Sequence, residues 1–270
     1  VNYRHVYHAG NFADCVKHAL LLVILRAMQR KDKPLMVLDT HAGVGIYDVF
    51  SLAPEKTGEW RAGIARVMEA RPAALADYVG VVERQGLYPG SPAILASLLR
   101  AGDRLVCCEL HPEDAAALKA HFAGRRDVAV HLRDGYAAVP AFLPPPERRA
   151  LVLIDPPYED VGEFEAVLRA LVAGWQKFRS GVFVVWYPVK SRARVRAFFD
   201  AVKASGLRDV VGAEFLLREP SDPARLNGCG LMVVNPPFGF EGAALPVLRA
   251  LVDVLGEAGA GCSVTRLVDE

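Results

Sequence analysis

The sequence predicts a doubly wound α/β domain, and three observations carry that prediction. Seven short aliphatic runs punctuate the chain, several of them continuously hydrophobic, as strands buried on both faces are. Helix-length segments separate the runs, the alternation that builds a mostly parallel sheet covered on both sides. The first four runs each end on or beside an acidic residue, at the sheet edge where open α/β proteins collect ligands.

The elements follow in order. "NFADCVKHALLLVILRAMQRKDK" has apolar residues at helical spacing and basic residues at its end, so a helix precedes the sheet. "PLMVLDT" (34–40) is the first strand. Residues 46–103 exceed the roughly thirty residues of a simple crossover, so this stretch is read as a helical insertion that contains the crossover helix. The turn formers of "YPGSP" (88–92) return it to the sheet. "RLVCCEL" (104–110), "VAVHLRD" (128–134), "ALVLIDPP" (150–157), "GVFVVWYP" (181–188), "AEFLLRE" (213–219) and "LMVVNPP" (231–237) complete seven strands. With 270 residues and 52% hydrophobic content, one domain over residues 1–270 is expected.

Composition excludes several classes. No apolar run reaches bilayer length, and "VNYRHVYHAG" lacks a secretory apolar stretch, so a cytoplasmic protein without membrane contact is expected. Cys15, Cys107, Cys108, Cys229 and Cys262 form no CxxC pair, which predicts reduced thiols and no metal site. A net charge of +1 means that any surface for nucleic acid must be local.

The acids at the strand ends are Asp39, Glu109, Asp134 and Asp155. A single Asp in such a place ordinarily caps a helix or turns the chain; four successive ends point to a ligand. Gly43 and Gly45 allow close backbone approach after the first strand, but Asp48 stands where a dinucleotide fingerprint needs its third glycine. Glu109 suits a ribose diol and Asp134 an adenine amine, a nucleoside without a pyrophosphate. With an amino-acid tail near the first loop, that describes S-adenosylmethionine. "DPPY" (155–158) then supplies acceptor chemistry. The Asp155 carboxylate and the Pro156 carbonyl, held by two prolines, can both accept from an exocyclic amine, localise its lone pair and take up developing positive charge. Tyr158 offers a surface for an unstacked base. "NPPF" (235–238) repeats the pattern on a strand expected to be antiparallel, so Asn235 is read as a structural turn and Phe238 as a packing residue.

"YRHVYHAGNFADCVKH", "LDTHAGVG", "YPGSP", "ELHP", "LPPPERRALVLIDPPYE" and "WYPV" resemble, in order and spacing, the RlmJ family of 23S ribosomal RNA adenine-N6 methyltransferases. The resemblance implies a class I methyltransferase fold, Rossmann-like with a helical insertion, S-adenosylmethionine as donor, one adenine of 23S ribosomal RNA as acceptor, and a monomer. Carried over motif by motif, it implies cofactor contacts from His18, His41, Ser91, Glu109, Asp134, Gly135 and Asp155. It makes Asp155 the catalytic acceptor and sends Tyr3 toward the target base. His41 stands where many methyltransferases have their first motif glycine, so that loop should differ from the usual form.

"KSRARVR" (190–196) follows the fifth strand on the rim of the expected site, making Lys190, Arg192, Arg194 and Arg196 candidate RNA contacts; a solvated helix start is an equally weighted reading. Arg4, His5 and Lys17 are further candidates near the N-terminus. Two alternatives share much of this pattern: a DNA adenine-N6 or cytosine-N4 methyltransferase, and a non-catalytic RNA-binding module.

Overall fold

Consecutive aliphatic residues can all be buried only where both faces of a strand are covered, and here both are. The computed structural model describes residues 8–49 and 58–270. Its strands are β1 (Met36–Asp39), β2 (Ile46–Tyr47), β3 (Tyr88–Pro89), β4 (Arg104–Glu109), β5 (Val128–Leu132), β6 (Ala150–Ile154), β7 (Val182–Val189), β8 (Val210–Leu216), β9 (Gly228–Val234) and β10 (Gly261–Val268). The helices are α1 (Phe12–Gln29), α2 (Glu59–Ala62), α3 (Ile64–Ala70), α4 (Ala76–Gln85), α5 (Ser91–Ser97), α6 (Pro112–His121), α7 (Gly135–Ala141), α8 (Glu163–Lys177), α9 (Arg192–Ala204) and α10 (Phe240–Leu255).

The main sheet runs β5-β4-β1-β6-β7-β9-β8-β10. β1 lies parallel to β4 on one side and β6 on the other, with Leu38 opposite both Val106 and Val152. The chain order therefore reverses between β1 and β6, and a cleft at the carboxyl ends of these two strands follows from the topology. β9 and β10 run antiparallel to their neighbours. Side chains alternate between two cores. Val37, Leu105, Leu151 and Val184 meet α1 and α10 on one face, while Leu38, Val106, Val152 and Val185 meet α7, α8 and α9 on the other.

The sheet has eight strands rather than the seven expected. The additional strand, β10, is an edge strand whose residues are either half-buried or exposed, and it pairs only with β8. Such a strand carries no continuous apolar run for a sequence reading to find. Asn235 is the turn it was expected to be. It takes a left-handed conformation, and its amide donates to the carbonyls of Arg179 and Gly181. Phe238 does not pack; it is 96% exposed.

Between β1 and β4, a two-stranded antiparallel ribbon pairs Ile46 with Pro89 and Tyr47 with Tyr88. α2, α3 and α4 lie within the excursion that this ribbon closes, and α5 leads on to β4. The excursion grips the chain just before α1. The Ile64 N–H donates to the Gly10 carbonyl at 2.8 Å. A Cβ on Gly63 would stand 2.1 Å from that same oxygen, so only glycine fits. Glu59 receives the Asn11 amide and meets the His8 ring, and Arg26 of α1 pairs with Asp77 of α4. Among the described residues no helix is long and apolar enough to cross a membrane.

Candidate active site

A cleft of about 1330 Å³ opens at the carboxyl ends of β1, β4 and β6. His18, His41, Ser91, Glu109, Asp134, Gly135, Asp155, Pro156, Tyr158 and Lys190 all line it. Tyr3, Arg4 and His5 lie outside the described residues.

The β1 loop sets the near wall. Gly43 sits in the left-handed region and donates its N–H to Glu109 Oε2 at 2.8 Å, while the His111 N–H donates to Oε1 at 2.8 Å. Two backbone donors thus fix the Glu109 carboxylate at the end of β4, with its remaining lone pairs available to a diol. Leu110, 54% exposed, extends an apolar side chain into the same wall. Asp134 caps α7 by accepting the Tyr136 N–H at 2.8 Å. The plain capping role and a place on the cleft coexist in this residue. Beside it Gly135 leaves room for the β1 loop, because a Cβ there would lie 2.1 Å from the Thr40 carbonyl oxygen.

Both histidines are held by hydroxyl groups. His41 donates to or accepts from Thr40 Oγ1 at 2.7 Å and packs edge-on against Tyr136; burial pushes its pKa down to about 4, so the ring is neutral. His18 is fully buried, with Nδ1 2.9 Å from the Tyr88 hydroxyl. Ser91 lines the cleft but gives its hydroxyl to Asp39 Oδ2 at 2.6 Å.

Asp39 departs from the pattern of its fellow strand-end acids. It is completely buried and lies beneath the cleft instead of in it. Burial pushes its pKa up to about 7, against the pull of the Ser91 hydrogen bond. A carboxyl with a raised folded-state pKa contributes stability that is complete at acid pH, below its unfolded pKa, and is lost as pH rises through about 7. Asp39→Asn removes this titration. The stability of the variant relative to the parent should therefore improve between pH 4.5 and 7.5, as read by urea unfolding at both values. An unchanged difference would show that Asp39 does not hold its proton.

The Asp-Pro-Pro-Tyr corner lies at the end of β6. Asp155 Oδ2 makes an ion pair with Lys17 Nζ at 2.6 Å, and the same ammonium lies 3.0 Å from Asp14 Oδ1. Lys17, expected as an RNA contact, is instead 5% exposed and locked between two acids. Burial works against its charge, but Asp14 and Asp155 outweigh that and hold its pKa well above the ordinary lysine value. Asp14 is anchored in turn by the Gly10 N–H at 3.0 Å. The signal was in the sequence: an Asp and a Lys one helical turn apart on a helix that is otherwise apolar nearly all round. Asp155 Oδ1 has no protein partner among the described residues and is left to the cleft.

Tyr158 adopts φ +52, a left-handed conformation costing roughly 1–2 kcal/mol in a residue with a Cβ. Its hydroxyl donates to the Trp186 carbonyl at 2.7 Å, and its ring packs against Phe164 and Trp186 with centroids 4.8 and 5.7 Å away. The corner is thus braced from behind, while part of Tyr158 still lines the cleft. Trp186, which opens "WYPV" but carries no assigned role there, lines it too.

Lys190 and Arg192, both nominated for RNA, separate. Lys190 is exposed on the cleft rim. Arg192 does not line the cleft; its guanidinium pairs with Glu214, whose side chain is 10% exposed. A buried acid claims the arginine that charge alone had nominated.

A backbone-held acid at the end of β4, a glycine-lined loop without a pyrophosphate cradle, and Asp-Pro-Pro-Tyr at the switch in strand order define a class I methyltransferase. Residues 32–268 match the family described as "RsmJ: Ribosomal RNA large subunit methyltransferase D, RlmJ". The chain belongs to that family and is an S-adenosylmethionine-dependent enzyme. It is 39% identical to the Escherichia coli (strain K12) protein named Ribosomal RNA large subunit methyltransferase J, with all of both chains covered. It is 38% identical to the Haemophilus influenzae protein of the same name, covering 97% of this chain and 96% of the relative. The crystal structure of protein LPL1258 from Legionella pneumophila str. Philadelphia 1 superposes with a TM-score of 0.89 at 34% identity, over 96% of this chain and 98% of that one.

Proposed function

We propose that the chain, as one methyltransferase domain with residues 46–103 as its insertion, methylates N6 of one adenine in 23S ribosomal RNA. The observation that carries this reading is the pairing at the reactive corner. Asp155 Oδ1 and the Pro156 carbonyl oxygen both lack a protein donor among the described residues, and both residues line the cleft. Two acceptors side by side suit an amino group that must give up two N–H hydrogen bonds.

An exocyclic amine shares its lone pair with the ring and attacks poorly. Accepting both its hydrogens draws the nitrogen toward a pyramidal shape and returns the pair to it. The acceptors also meet the positive charge that grows as the new bond forms. Asp155, Asp14 and Lys17 together carry a formal charge of −1, so the corner retains an excess of negative charge for that purpose. Tyr158 and Trp186 offer aromatic surface to a base lifted from its stack. Proton release from nitrogen has Asp155 Oδ1 as its nearest acceptor in this assignment.

Glu109, Leu110, Asp134 and Gly135 fit the nucleoside half of S-adenosylmethionine: a fixed carboxylate, an apolar wall, a second acid and a backbone without a Cβ in the way. His41 and Ser91 line the same cleft. S-adenosylmethionine, when bound, supplies an electrophilic methyl group on sulfur. The resemblance to the RlmJ family supports a monomer, and the ribosomal RNA named for its relatives supports a cytoplasmic enzyme.

Incubation with methyl-labelled donor and either 23S ribosomal RNA lacking the modification or DNA of matching sequence tests the reading. Label should enter RNA alone and digest to N6-methyladenosine. Label in DNA, or in another nucleoside, would overturn it.

A further inference from the structure

The cleft continues past the reactive corner into a second wing that the catalytic assignment leaves unexplained. Leu217 and Leu226 line it, as do Arg66, Lys190, Arg218 and Arg225; Glu257 is bonded to Arg218 and lies in the field of Arg225 and Arg66. These residues come from separate parts of the chain. Arg66 belongs to α3 of the insertion, Lys190 follows β7, Arg218 and Arg225 lie between β8 and β9, and Glu257 follows α10.

The rim is a built structure. Asn227, fully buried, donates its side-chain amide to the carbonyls of Asp222, Lys190 and Arg225 at 2.7, 3.1 and 3.2 Å, and its N–H to Val189. The segment bearing Arg225 is thereby pinned to the segment bearing Lys190. Arg218 grips Glu257 through two bonds of 2.6 Å and donates to the Leu226 carbonyl. The hydrogen bonds from Arg218, opposed by some burial, hold Glu257 below the usual carboxylate range, and Arg225 and Arg66 add to that field. Arg66 and Arg225 are exposed, and neither closes an ion pair with a described residue. Glu257 is taken up by Arg218, and the remaining cations, Arg66, Lys190 and Arg225, make an anion-binding edge.

We infer that this wing is the track for the phosphodiester backbone of the RNA beside the target base, with Arg66 and Arg225 each meeting a phosphate. The inference rests on the proposed RNA reading and adds where that RNA lies. It gives the insertion a part in holding substrate, through Arg66. It moves the phosphate contacts away from α9, where Arg192 is committed to Glu214 and Arg194 and Arg196 do not line the cleft.

The test compares full-length Arg66→Ala/Arg225→Ala with Arg194→Ala/Arg196→Ala, using filter binding to ribosomal RNA, methylation kinetics and calorimetry with S-adenosylmethionine. The first pair should raise Kd for RNA and KM roughly tenfold and flatten the dependence of log Kd on log salt by about 0.7–0.9 per arginine. Cofactor affinity and kcat at saturating RNA should hold, and the second pair should stay near the parent. Charge reversal, Arg66→Glu/Arg225→Glu, should weaken RNA further at an unchanged melting temperature. If the parent methylates RNA and the first pair binds it with unchanged affinity and salt slope, the track is wrong while the proposed function stands. If the parent neither binds nor methylates RNA, the proposed function falls and takes the track with it.

Discussion

Replacing Asp155 by alanine should lower kcat by on the order of 10²- to 10³-fold, the loss expected when one preorganised group that stabilises transition-state charge is removed. Affinity for S-adenosylmethionine, read by calorimetry, should change far less, because Glu109, Asp134 and the β1 loop do not depend on the Asp155 side chain. The fold should survive, since Lys17 keeps Asp14 as its partner. Asp155→Asn separates two roles. An amide oxygen still accepts a hydrogen bond but is a far weaker proton acceptor, so activity of the asparagine variant well above that of alanine would assign the residue chiefly to orienting the amine. Equal losses would assign it to the proton as well. Turnover at the parent rate in the alanine variant would remove Asp155 from the mechanism.

Lys17→Met should damage both the fold and the reaction. The substitution leaves two carboxylates that had shared one ammonium, and breaking a buried pair from one side costs about 3–5 kcal/mol. For a chain of this size the melting temperature should fall on the order of 10 °C. The pH dependence carries a sign. The pKa of Lys17 is raised in the folded state, so its stabilisation is complete through neutral pH and is lost only in alkali, as pH climbs through and beyond the ordinary lysine range. The parent and the methionine variant should therefore converge in stability at high pH. Adding Asp14→Asn removes one of the stranded charges and should recover part of the melting temperature. If Lys17 also orients Asp155, kcat stays low in that double variant despite its recovered stability. A Lys17→Met protein with the melting temperature and turnover of the parent would show that the pair does neither.

Strands such as β6 and β9, buried along their whole length, could be read directly from unbroken aliphatic runs. β10 could not, because an edge strand half in water has the composition of a loop. The same division holds in the cleft. Glu109, Asp134 and Asp155 end strands of the expected sheet, so once the sheet is known their neighbourhood follows from topology. Asp39 ends a strand in the same way but lies beneath the cleft, a difference of depth that a linear pattern does not encode. Lys17 stands 138 residues before Asp155, and only the packing of α1 over the sheet brings them to 2.6 Å. For Arg192 and Arg66, charge was visible in both. What distinguishes them is a buried Glu214 beside the first and open space beside the second.

The ribbon of β2 and β3 has a consequence for how such an enzyme can change over time. By pairing Ile46 with Pro89 and Tyr47 with Tyr88, it brings together the two points where the chain leaves and rejoins the catalytic framework. Whatever lies between them is then a cassette with fixed sockets. Doubling the length of a flexible closed segment costs only about 0.6 kcal/mol, so descendants can lengthen, shorten or recharge this cassette while β1, β4 and β6 remain in register. The grip of Ile64 and Gly63 on Gly10 restrains such exchange: a replacement must still offer a backbone donor and a bare α-carbon there, and partners for Asn11 and Arg26 where Glu59 and Asp77 now stand.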